Sequence, residues 1–232
     1  MGLSSVPPCT LDADREARLD LEAGSQLLTG RAHRIDIAGQ GSFQVIASEP
    51  RVGRPTVLLL PGPGRSAIDR LSEQLMITLN ERGYGIAAAQ MPVQRRECES
   101  FETYPQTFAL AFSRIDATLK WLAGSGQTRV VLFGAWLADA FVAARPGVRL
   151  HAWIVPNLTG GFSRFDQPGL RILDVYGERA NAMTLNAADR RRATLERFPA
   201  SRQVRIAGAD MEFSGRYDEL AQLIDNFLAS LG

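Results

Sequence analysis

The spacing of apolar residues changes at Thr56, and the change divides the chain into two kinds of structure. Before that point, Arg34-Ile-Asp-Ile-Ala38 and Ser42-Phe-Gln-Val-Ile-Ala47 alternate apolar and polar side chains on either side of Gly39-Gln-Gly41. Alternation of period two lays one face of each strand on a core, and the glycines supply a turn, so this pair predicts a β-hairpin. From Thr56 the apolar residues come instead in unbroken runs: Thr56–Leu60, Ile86–Ala89, Val130–Phe133, His151–Val155, Arg171–Tyr176 and Gln203–Ile206. Unbroken runs suit strands covered on both faces, as in a parallel sheet.

Between the runs the spacing is helical. Helices are predicted over Ala67–Arg82, Gln106–Leu122 (closed by Gly124-Ser-Gly126), Trp136–Ala144 and the arginine-rich stretch Asn186–Phe198. A last helix, Tyr217–Leu231, carries Leu220, Leu223, Ile224, Phe227 and Leu228 on one face. Strands alternating with helices predict an α/β fold: a doubly wound, mostly parallel sheet with right-handed crossovers, the hairpin adding an antiparallel edge. No stretch is long enough for a large inserted cap domain. Residues 1–30 are polar, with a possible amphipathic helix over Asp12–Leu28, and read as an N-terminal extension to one domain covering 31–232.

Composition narrows the function. The chain has 232 residues, 45% hydrophobic, with a formal net charge of +1, so no charge excess points to nucleic acid or an anionic membrane. No apolar run reaches the length of a membrane span. Residues 1–10 lack the charged and apolar regions of a signal peptide, though a secreted chain without its leader would look the same. Two cysteines, Cys9 and Cys98, are too few for a disulfide scaffold or a metal cluster, and whether they pair is open. Two histidines, His33 ahead of the hairpin and His151 at the amino end of a strand, exclude a multi-histidine metal site. No phosphate-loop or dinucleotide fingerprint is present, so no cofactor is expected.

The segment Gly134-Ala-Trp-Leu-Ala138 follows a buried strand and opens a helix, which is the setting of the nucleophile elbow of α/β-hydrolases, G-x-S-x-G. In that register Trp136 stands in place of the serine and Ala138 in place of the second glycine, and no serine occurs between Ser125 and Ser163. Such hydrolases carry serine, acid and histidine in that chain order, the histidine taking the serine's proton while the acid orients the ring. By resemblance to these enzymes, Val175-Tyr-Gly-Glu-Arg-Ala-Asn181 puts Ala180 in the acid's place. Likewise Ile206-Ala-Gly-Ala-Asp-Met211 puts Met211 in the histidine's place. All three positions lack their chemistry.

Pro61-Gly-Pro-Gly-Arg-Ser66 is the loop that holds an oxyanion donor in an active relative, and its glycines let backbone N–H groups come close to a bound group. Gly62, Gly64, Arg65, Ser66, Trp136 and Met211 are therefore the candidate binding residues, with no catalytic or metal-binding residue assigned. Glu178, Asp210 and Glu212 read as solvated loop charges, and Asp139 and Asp174 as internal caps or partners for arginine.

Ile172–Gly177, Ser201–Asp210 and Phe213-Ser-Gly215, with Leu58-Leu-Leu-Pro-Gly62 and the elbow region, resemble the DUF3530 family of bacterial α/β-hydrolase-like proteins over about residues 30–232. The resemblance implies a hydrolase fold and, since many members look exported, a periplasmic setting over a cytoplasmic one. The reading is a pseudoenzyme that binds a protein partner or a small apolar ligand at the old active-site mouth. One alternative is an esterase or thioesterase with a rearranged site using Ser66 with Asp210 or Glu212. Another is a structural subunit docked through its N-terminal segment. Oligomeric state is left open.

Overall fold

A computed structural model describes residues 9–25 and 27–232. Its centre is one eight-stranded sheet: β1 (Arg31–Ile37), β2 (Gly41–Ser48), β3 (Thr56–Leu59), β4 (Gly85–Ala89), β5 (Val130–Phe133), β6 (Ala152–Pro156), β7 (Ile172–Gly177) and β8 (Arg202–Ile206). The spatial order is β1-β2-β4-β3-β5-β6-β7-β8. β1, β2 and β4 pair antiparallel, and every pair from β4 through β8 is parallel. The hairpin forms the antiparallel edge, and β3 to β7 are buried almost throughout, as unbroken apolar runs require.

Helices α1 (Ala13–Ser25), α2 (Arg70–Glu81), α3 (Phe108–Gly124), α4 (Trp136–Ala144), α5 (Ala182–Asn186), α6 (Ala188–Leu195) and α7 (Tyr217–Ala229) complete the chain. α2 and α7 bury Leu75, Leu79, Leu220, Ile224 and Phe227 on one face of the sheet. α3, α4 and α6 bury Ile115, Leu122, Phe141, Val142 and Leu195 on the other. Two apolar layers thus hold the strands rigid, and the loops at their carboxyl ends are free to form a site.

Three sequence expectations need correction. α2 starts at Arg70 instead of Ala67, because Ala67 N–H is held by the buried Gln90 Oε1 at 2.9 Å and Asp69 caps the helix through Ser72 N–H. The arginine-rich helix is shorter than expected, Ala188–Leu195, and a separate short helix, α5, precedes it. Asn181 caps α5 through Thr184 N–H, and Arg191 Nη1 donates to the Thr184 carbonyl at 3.0 Å, which ties α5 to α6. His33 lies within β1, opposite Val45, with its ring 4.9 Å from that of Trp121.

Residues 9–20 make several contacts with the sheet and helices that follow. Glu16 pairs with the nearly buried Arg114 of α3, Arg34 of β1 reaches the buried Asp20, and Gln44 donates to the Asp20 carbonyl. Cys9 and Cys98 are joined by a disulfide across 89 residues. A closed loop of that length removes about 4–5 kcal/mol of unfolded-state freedom in the chain-entropy account.

Asp174 of β7 and Arg191 of α6 form an ion pair with no solvent exposure. Arg191 Nε donates to Asp174 at 2.8 Å, and Nη1 donates to the carbonyls of Leu158, Gly160 and Thr184, so one side chain joins the β6–β7 loop to both helices. Removing one buried partner leaves the other uncompensated. Arg191→Met is expected to cost about 3–5 kcal/mol in denaturant unfolding, and Asp174→Leu with Arg191→Met to recover most of it. An Arg191→Met protein as stable as the parent contradicts this.

Candidate functional site

The site forms where β5 ends. Leu60 N–H donates to the Phe133 carbonyl, Gly134 N–H to the Ile154 carbonyl, and the indole N–H of Trp153 to the Gly134 carbonyl at 3.0 Å. A Cβ on Gly134 would lie 3.1 Å from that of Ala138 and 3.2 Å from that of Leu60, so the turn closes tightly only with glycine there. Helix α4 then begins at Trp136. Neither Ala135 nor Trp136 has a positive φ at this turn.

Trp136 is half-buried at the wall of a cavity of about 270 Å³. Its ring lies 5.3 Å from Phe101, 5.6 Å from Tyr104 and 5.5 Å from Phe108, an aromatic cluster within packing range. Gly62, Arg65 and Met211 line the same cavity, along with Leu71, Leu137, Asn157 and Thr159. Gly64 and Ser66 stand outside this lining, and Ser66 Oγ is the acceptor for the Ile68 N–H at 3.3 Å. Ala180 is buried and also takes no part in the wall.

Asn157 organises the rest of the wall. It sits at the end of β6 with φ 47° and is almost fully buried. Its Oδ1 accepts from Gly177 N–H at 2.9 Å, and its Nδ2 donates to the Met211 carbonyl at 2.9 Å. Gly177 tolerates no side chain, because a Cβ would meet the Asp210 carbonyl at 2.6 Å. The ends of β6 and β7 and the loop after β8 are locked into one wall. An asparagine just past a buried strand was the available signal, since asparagine tolerates the left-handed conformation better than most residues.

The charged groups around the cavity are already engaged. Arg65 makes a two-pronged contact with Glu212, at 2.8 and 3.2 Å, and lies 3.7 Å from Asp69. Asp210 accepts from the N–H groups of Ser214 and Glu212, which hold its carboxyl below the usual range. Glu178 accepts from Gly208 N–H. Asp139 is buried in α4, where burial raises its pKa, and it caps the β6–β7 loop through Ser163 N–H at 3.0 Å. His151 bonds to Arg129 at the opposite, amino end of the sheet, where burial and two arginines lower its pKa. No histidine or cysteine lines the cavity.

One polar atom of the lining is both buried and unpartnered. Tyr104 lines the cavity and is 1% exposed, yet its hydroxyl has no hydrogen-bond partner among the described residues. Burial raises its pKa, so it stays a neutral donor.

The strand order, the turn after β5 and the cavity at the carboxyl edge settle the architecture. This is the α/β-hydrolase fold. A lidless α/β serine hydrolase from Xanthomonas campestris superposes with a TM-score of 0.67 at 16% identity, covering 88% of this chain and 95% of its own. A dienelactone hydrolase from Anabaena variabilis gives 0.66 at 19% identity, covering 87% and 97%. A serine hydrolase homologue from Coxiella burnetii gives 0.65 at 18% identity, covering 89% and 99%. No protein-family model and no curated protein matches the sequence, so the DUF3530 resemblance rests on its quoted motifs alone.

If Trp136 fills the space in front of the turn, Trp136→Ala should enlarge the cavity and increase uptake of a neutral apolar dye. The cost in stability should be about half of the 3–5 kcal/mol typical for a fully buried aromatic. An unchanged cavity volume in the variant's crystal structure, with unchanged dye uptake, sinks that assignment.

Proposed function

We propose that this protein is a pseudoenzyme: an α/β-hydrolase fold that uses the former active-site mouth to bind, and performs no hydrolysis. The observation that carries this reading is that Trp136, which the motif spacing aligns with the nucleophile, opens α4 and borders a cavity lined by neither histidine nor cysteine. Met211, at the position assigned to the base, lines the same cavity and offers only a thioether.

A small, uncharged, mainly apolar ligand suits the site best. The walls are aromatic and aliphatic, while Arg65 is neutralised by Glu212 and Asp69. The unpartnered Tyr104 hydroxyl would donate to a carbonyl or ether oxygen on that ligand, relieving a buried group that otherwise costs free energy. The disulfide supports an oxidising compartment, in keeping with a periplasmic setting. The DUF3530 resemblance points to the same exported setting.

The alternatives have less support. Ser66 as nucleophile stands outside the cavity lining, with Glu212 held by Arg65 and Asp210 held by backbone N–H groups. A docking arm made of the N-terminal segment conflicts with the contacts that residues 9–20 make to their own domain. Among the described residues no helix is long and apolar enough to cross a membrane.

The test is hydrolysis of short- and medium-chain nitrophenyl esters and thioesters by the parent and by Ser66→Ala. The expected result is no turnover above the buffer rate in either protein. Turnover in the parent that disappears in Ser66→Ala would overturn the proposal and place a nucleophile in the Pro61–Ser66 loop.

A further inference from the structure

We propose that the Cys9–Cys98 disulfide is a redox latch on the cavity, holding the Phe101–Tyr104 wall against Trp136 when oxidised and releasing it when reduced. The proposal rests on the reading of this cavity as a binding site and names how access to it is controlled.

The wall in question belongs to residues 90–107, between β4 and α3, which contain only two short 3-10 turns. That segment presents Phe101 and Tyr104 to Trp136 at ring distances of 5.3 and 5.6 Å. Phe101 is nonetheless 67% exposed, so little packing holds it from outside. Met91 and Tyr104 are buried in the core at either end of the segment, and the stretch between them is fixed from the N-terminus. Among the described residues, each hydrogen bond that residues 93–99 make beyond the segment goes to residues 10–15. Asp12 N–H donates to the Val93 carbonyl at 2.8 Å, Arg95 N–H to Thr10 at 3.3 Å, and Arg15 Nη1 to Gln94 at 3.0 Å. Arg15 also pairs with Glu99.

The same arginine ties the second wall. Arg15 Nη2 donates to the Gly64 carbonyl at 3.0 Å, so the N-terminal strap holds both the Phe101 loop and the Pro61–Ser66 loop. The disulfide closes this strap at its outer end, where Cys9 N–H also donates to Gln106 Oε1 at 2.8 Å. Both cysteines are half-exposed, within reach of a reductant. α1 keeps its own anchors, Arg34 to Asp20 and Arg114 to Glu16, whatever the state of the sulfurs. Cutting the bond removes the covalent closure of the strap and leaves Thr10 and Asp12 to hold the loop by hydrogen bonds alone, beside the contacts that Arg15 makes from within α1, while the core is untouched.

The reductant is a dithiol. Its thiolate attacks one protein sulfur, the S–S bond breaks and the other cysteine leaves as thiolate. The reagent's second thiol then closes on its first sulfur, releasing the remaining cysteine and a cyclic disulfide. Two electrons and two protons pass to the protein, giving two cysteine thiols.

The experiment compares amide hydrogen exchange and uptake of the neutral dye N-phenyl-1-naphthylamine in the oxidised protein, the dithiol-treated protein and the Cys9→Ser/Cys98→Ser variant. Exchange should quicken about tenfold or more in residues 93–104 of the latter two, with β5 and β6 as protected as before, and dye uptake should rise several-fold. Equal exchange in all three overturns the latch, as does a rise that extends equally to β5 and β6, which would make the bond a global staple. A loosened segment with unchanged dye uptake, where Trp136→Ala does take up dye, also overturns it. Failure of every protein to take up dye, Trp136→Ala included, counts against the cavity reading, while the exchange data still decide the latch.

Discussion

The turn at Gly134 is the constraint on which the carboxyl edge of this sheet depends. Leu60 and Ala138 leave no room for a Cβ there, and the indole of the buried Trp153 holds the Gly134 carbonyl from below. A strand end clamped from both sides sends the next residues directly into α4, which fixes where the side chain of residue 136 must go. In a hydrolase that place is reserved for a strained nucleophile. Here the backbone has no positive φ at the turn, and the side chain is an indole that packs on three other rings.

The remaining chemistry of the site has been drawn into structure. Glu212 and Arg65 join two loops across the cavity mouth, Asp210 folds its own loop around Ser214, and Asp139 holds the β6–β7 connection through Ser163. Asn157 binds three segments into one wall. These roles demand fixed, engaged side chains, whereas a general acid or base needs a free lone pair or proton within reach of substrate. What the cavity offers a ligand is mainly apolar surface, with the buried, unpartnered hydroxyl of Tyr104 in its wall.

Much of this was legible in the chain. Continuous apolar runs identified the parallel strands because burial on both faces leaves no room for alternation, and α4 was read to the residue because a glycine turn precedes it. Gly62, Arg65, Trp136 and Met211 were placed by motif spacing, and the structure brings these four to one cavity. The misses share a cause: each depends on a contact distant in sequence. The short helix α5 ahead of the arginine-rich one is tied down by Arg191, which reaches Thr184 while pairing with Asp174 of β7. Tyr104 and Phe101 enter the site from a segment without periodicity, positioned by an N-terminal strap whose disulfide spans 89 residues. Spacing rules carry no information about such partners.

The central claim is that no activated serine exists in this fold. Labelling with a fluorophosphonate, which traps an activated serine whatever its natural substrate, tests this most directly when read by intact mass. The account predicts an unmodified chain under conditions that fully label an active serine hydrolase. One covalent adduct per chain, mapped to any serine lining or bordering the cavity, would contradict it.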